Sequence, residues 1–176
     1  MSNNIKRLVV AGVLLALCMV LPFLTGQIPQ IGNAISPMHI PVLLCGFACG
    51  WPYGLIVGFI APLLRYAVFG SPPIFPIGVA MAFELAVYGL MTGILYKLLP
   101  KKVPYIYVAL ISSMLIGRAV WGLARFVIAG LQNSEFTFDM FLAGAFINAV
   151  PGIIIHIVLI PLIVIALRKA KLLQNE

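Results

Sequence analysis

The chain has 176 residues, 63% of them hydrophobic and 9% charged, where a soluble domain carries about 25% charged residues. A globule of this composition cannot cover itself with polar surface in water, so lipid must be the solvent for most of it. No linker, charge run or low-complexity stretch divides the chain, and residues 1–176 read as one membrane-embedded domain.

Lipid accepts only helices or closed barrels, because every backbone polar group needs an internal partner. The long unbroken apolar runs lack the alternation of barrel strands, so the fold class expected is an all-α bundle. Six spans are read, in chain order Lys6–Leu24, Ala34–Gly50, Trp51–Phe69, Ile77–Leu98, Pro104–Gly130 and Phe138–Leu167. The first has a basic start, but it ends in Pro-Phe-Leu-Thr-Gly with no small-x-small cleavage site, so it is kept as a span and not read as a leader. Between spans one and two lies "TGQIPQIGN". Span two opens on Pro37, His39 and Pro41, where a missing N–H costs little. A Gly-Trp-Pro-Tyr-Gly turn joins it tightly to span three, with Trp51 and Tyr53 suited to the membrane interface. "GSPPIFP" links spans three and four. The two proline-rich outer corners are either a stiff lid or plain connectors.

The charges orient these spans. Lys6 and Arg7 precede the first, Lys97, Lys101 and Lys102 follow the fourth, and Arg168, Lys169 and Lys171 follow the sixth. With six spans all three groups fall on one side, which the positive-inside rule makes cytoplasmic together with both termini. Acidic Glu135 and Asp139 fall on the other side. The net charge of +7 is thus topological and not a nucleic-acid footprint.

Polar groups inside spans are costly and usually face a bundle interior or a wet cavity. Here they are Arg65, Glu84, Arg118, Arg125, Asn148 and His156. Counting at about 1.5 Å per residue places Arg65, Glu84 and Arg125 roughly 7–10 Å below the outer surface. Arg118 and Asn148 lie near the middle, and His156 lies deeper. Arg118, Trp121 and Arg125 share one helical face, as do Met81, Glu84 and Tyr88. Pro151 frees the carbonyl of Ile147 beside Asn148. The expectation is a polar, partly aromatic cavity open to the outer half, with three arginines against one glutamate. Two readings stand for several residues. Arg65 and Arg125 either line this cavity or snorkel to headgroups. Glu84 either meets a ligand or only holds an arginine. His39 is either a lid-side contact or an interface residue, and His156 is read as a helix-packing group. Cys45 and Cys49, at i and i+4, are read as packing residues, and no metal or cofactor site is expected.

A P-loop, His-Glu-x-x-His and Gly-x-Ser-x-Gly are all missing from the sequence, so no enzyme is expected. The run "MHIPVLLCGFACGWPYGLIVGFIAPLLR", followed by "FPIGVAMAFELAVYG", resembles the substrate-binding S components of energy-coupling factor (ECF) vitamin transporters, over nearly the whole length. That resemblance implies a small protein of the cell membrane that captures a vitamin in its outer half. It would work with a separate transmembrane T subunit and two cytosolic ATPases, which fits the missing P-loop. It also implies a docking face of small residues on the first helix, for which Ala11, Gly12 and Ala16 are the candidates. Gly12-x-x-x-Ala16 has the small-xxx-small form, although Leu15 stands where a second alanine after Ala11 would be. The arginine excess favours a carboxylate or phosphate ligand. Pantothenate ranks first, with pyridoxine-type and pyrimidine ligands next. The substrate-site candidates are Arg65, Glu84, Tyr88, Arg118, Trp121, Arg125, Asn148 and His39. A self-contained small-solute transporter or anion channel is the alternative, and it would conduct without partners.

Overall fold

The computed structural model describes residues 3–25, 32 and 34–173. Most of the "TGQIPQIGN" corner, including its proposed lid role, lies outside the described residues. The described chain is all-helical: α1 Asn3–Val20, α2 His39–Cys49, α3 Trp51–Phe69, α4 Val79–Leu98, α5 Val103–Leu131, α6 Phe138–Leu142 and α7 Val150–Lys169. A 3-10 turn, Leu21–Thr25, follows α1. π-helical turns precede α4 at Ile74–Gly78 and follow α6 at Ala143–Ile147.

Among the described residues five helical stretches, not six, are long and apolar enough to cross a membrane: Asn4–Leu24, Trp51–Phe69, Ile74–Leu98, Val103–Leu131 and Val150–Lys169. The expected second span is the exception. Its helix has 11 residues, or about 16 Å of axis, roughly half the hydrocarbon thickness. It starts late because Ser36 takes a left-handed turn, φ 51°, just before it. Irregular backbone at such depth survives only where protein encloses it, and Ser36 through His39 are all buried. The expected sixth span is also broken. Phe138–Ile147 is a separate short segment, and α7 restarts at Val150 with Pro151 in its first turn, the place where a proline costs least.

The stubby α2 is the hub of the bundle. It packs against α1, α3, α4 and α7, while α4 also packs against α3 and α5. Every residue of α2 but Ile40 is buried, which explains why it is apolar all round where a surface helix would be striped. The closest packing is between α3 and α4. A Cβ at Gly54 or Gly58 would strike the backbone of α4 at Gly89 or Leu85, and one at Gly89 would strike Gly54. The run Gly50-x-x-x-Gly54-x-x-x-Gly58 is therefore a flat backbone track on which α4 lies. The outer surface is apolar: Leu8, Val13, Leu115, Leu123, Phe126 and Ile154 are each more than half exposed, as side chains facing lipid would be.

Candidate functional site

Glu84 and Tyr88 lie one turn apart on α4 and face α5, where Gly117 and Arg118 meet them. A Cβ at Gly117 would overlap the Tyr88 ring, so that glycine is what lets the ring lie flat against α5. Arg118 then reaches the carboxylate, with Nη1 3.1 Å from Glu84 Oε1. His39, in the first turn of α2, brings Nε2 to 3.6 Å from the same oxygen, and its ring meets the Tyr88 ring edge-on at 5.4 Å. His156 of α7 stacks on His39 with centroids 5.9 Å apart. Four helices thus converge on five polar side chains, all of them buried: Glu84 and His156 are 1% exposed, Arg118 7%.

Burying a charge requires a partner, and burying any polar group requires a hydrogen bond. Glu84 and Arg118 meet the first condition. The second is incompletely met. Both ring nitrogens of His39 and of His156, Glu84 Oε1, the Tyr88 hydroxyl and Arg118 Nε have no aligned protein partner. Native proteins leave few such groups, and those that remain call for a functional explanation. The cluster offers an acceptor in Glu84, a forked cation in Arg118, and three groups that donate or accept according to what approaches.

Above this cluster sits an aromatic one. Trp121, one turn beyond Arg118, lies 6.0 Å from Phe136 and 6.4 Å from Phe141, and Phe141 contacts Phe138 and Phe146. Gly122 and Gly144 make room for it, since a Cβ on either would meet the Phe141 or Trp121 ring. Arg125 is half-buried here with its guanidinium 5.3 Å from the centre of the Phe136 ring.

The structure therefore brings together His39, Glu84, Tyr88 and Arg118, sets Trp121 and Arg125 in the layer next to them, and adds His156, which the sequence assigned to packing. Arg65 and Asn148 stand apart. Arg65 is buried between the rings of Phe23 and Phe69, 5.1 Å from each, and donates to the Met19 carbonyl. It satisfies one of the orphan carbonyls at the end of α1. Asn148 is exposed in the break before α7. The common depth expected for Arg65, Glu84 and Arg125 assumed helices of equal reach. With 29 residues in α5 and 20 in α4, residues counted from the ends do not align, and Arg118, not Arg125, meets Glu84. On α1, Gly12 and Ala16 are exposed while Ala11 is in the core with Leu14 and Cys18, so the three candidates do not form one face. Phe136 and Phe141 were missed; their spacing near Gly144 was the available signal.

An apolar multi-helix bundle with one buried, incompletely satisfied polar cluster is a membrane-embedded binding or transport protein. The family model for the ECF transporter substrate-specific component matches residues 6–164, and the chain belongs to that family: it is a multi-pass transporter binding subunit and not an enzyme. No curated protein and no solved structure matches it.

Proposed function

We propose that this S component captures a small B vitamin at the His39–Glu84–Tyr88–Arg118–His156 cluster and hands it to the cytoplasm in company with a T subunit and two ATPases. The observation that carries the reading is the set of buried polar atoms in that cluster without aligned partners. Because Glu84 already balances Arg118, the cluster suits a ligand that is not purely anionic. A carboxylate would take Arg118 and the histidines, and a hydroxyl would donate to Glu84. Pantothenate, with a carboxylate, an amide and two hydroxyl groups, ranks first, and pyridoxine-type and pyrimidine compounds follow. The aromatic layer of Trp121, Phe136 and Phe141 covers the organic body.

Both termini are cytoplasmic in this reading, and the membrane is the cell membrane. In support, Arg7, Lys97 and Lys101 line one pocket, while Phe23 and Phe69 meet at the opposite ends of α1 and α3 at 5.1 Å. The test is a thermal-shift panel of water-soluble vitamins on the purified protein. One carboxylated or hydroxylated vitamin should raise the melting temperature at micromolar concentration, and the rise should vanish in Arg118→Ala. A panel in which nothing shifts the parent protein would sink the proposal.

A further inference from the structure

Glu84 and Arg118 are neutral as a pair. The other acidic side chains of the sequence lie elsewhere: Glu135 and Asp139 are exposed, and Glu176 comes after the end of α7. A carboxylate that enters the buried cluster therefore turns a neutral group into a net negative one. A buried net charge is costly until a group of opposite sign joins it. Histidine can supply that group on the spot, since its charge changes between about pH 5 and pH 8.

His39 is placed for this. Its Nε2 lies 3.6 Å from Glu84 Oε1, and neither atom has an aligned hydrogen-bond partner. A proton on Nε2 would give the carboxylate a donor and the cluster a positive charge. His156 stacks on the other side, ring centres 5.9 Å apart and planes at 18°. Two imidazolium rings so placed would repel, so the pair has room for one proton. The backbone keeps the two rings together: one turn before His156, a Cβ at Gly152 would strike the carbonyls of Ala34 and Ile35, just ahead of α2. The neighbouring titratable groups are otherwise engaged. Tyr88 of α4 is a phenol edge-on to His39. Cys18 of α1 donates to the Met38 carbonyl, and Arg65 of α3 donates to the Met19 carbonyl. On α5, Arg118 holds Glu84 and Arg125 lies over Phe136. Residues 26–31 and 33 carry no ionisable side chain. We propose that His39 takes up one proton from water when a carboxylate ligand binds, so that anion and proton enter the cluster together, a reading that rests on the function proposed above and extends it. A complex that holds one proton more than the free protein weakens as pH rises, by up to about tenfold per pH unit.

The experiment is calorimetric titration of the full chain with pantothenate, whose carboxylate stays ionised throughout. At about pH 8, HEPES and Tris, which differ in ionisation enthalpy, should give different heats that report uptake of up to about one proton per ligand. From about pH 7 to about pH 9 the dissociation constant of the parent should rise by about tenfold or more. His39→Gln should bind without proton uptake and with an affinity flat across that range, while His156→Gln should keep the uptake. Equal heats in the two buffers, or a parent affinity that is flat or rises with pH, overturn the proton site and leave the vitamin reading standing. Uptake that persists in His39→Gln overturns the assignment to His39. If that variant does not fold, the two measurements on the parent still decide. Absence of binding at every pH overturns pantothenate as the ligand and the proton site with it.

Discussion

Removing both members of the Glu84–Arg118 pair should cost less than the two single removals added together. At 3.1 Å and an effective dielectric of about 20, the two charges attract by about 5 kcal/mol. Desolvation offsets much of this in the intact pair. Glu84→Gln strips the arginine of its counter-charge inside the bundle, and Arg118→Gln does the same to the carboxylate. Breaking a buried pair in this way costs about 3–5 kcal/mol, or about 6–20 °C of melting temperature for a chain of this size. Glu84→Gln/Arg118→Gln leaves two neutral amides that can bond to each other. Its loss should fall short of the sum of the single losses by about 1–3 kcal/mol. Thermal unfolding of the four proteins in one detergent, followed by tryptophan fluorescence, gives the cycle. Single variants that melt within about 2 °C of the parent, or a double variant whose shift equals the sum, would refute a charge-paired core.

Gly89→Leu should abolish the folded bundle, since even a Cβ at that position strikes the Gly54 backbone; a monodisperse gel-filtration peak with the parent melting temperature would contradict the packing. Ala16→Trp, on the exposed face of α1, should stop uptake in cells while leaving vitamin binding intact, whereas Ala11→Trp, in the core, should lower stability itself. Loss of uptake and binding together in Ala16→Trp would remove the docking role. In a background lacking Cys18, Cys45 and Cys49, a cysteine at Asn133 should label from outside intact cells and one at Lys101 only after permeabilisation. Labelling at 101 in sealed cells would reverse the orientation.

Much of the architecture was legible because lipid narrows the choices: apolar runs gave the helices, and the i, i+4 spacing of Glu84 with Tyr88 gave one wall of the cluster. What was not legible depends on how helices sit against each other. Helix length decides depth, and α5 outreaches α4, so residue counting set Glu84 level with Arg65 and Arg125, whereas Arg118 is the arginine that meets it. Arg65 carries the same charge as Arg118, and of its partners only Phe69, at i+4 on the same helix, is legible locally; the Met19 carbonyl of α1 and the Phe23 ring of the turn after it are not. His156 reads as a packing residue from its own helix and becomes a cluster member only when α2 begins late enough to bring His39 beside it. The glycine track Gly50–Gly54–Gly58, by contrast, stands in the sequence as a spacing of four, and its meaning follows from close approach in lipid.

The most direct test is a calorimetric titration of the vitamin that most stabilises the parent, against Arg118→Ala, Tyr88→Phe and Arg125→Ala. Arg118→Ala should lose affinity about ten- to hundredfold, as expected for one hydrogen bond to a charged group. Tyr88→Phe, which deletes a single buried hydroxyl, should lose about three- to tenfold. Arg125→Ala, whose side chain lies over Phe136 in the outer layer, should stay within about threefold of the parent. The opposite order, with Arg125→Ala losing binding while Arg118→Ala and Tyr88→Phe bind like the parent, would contradict a substrate held at the buried cluster.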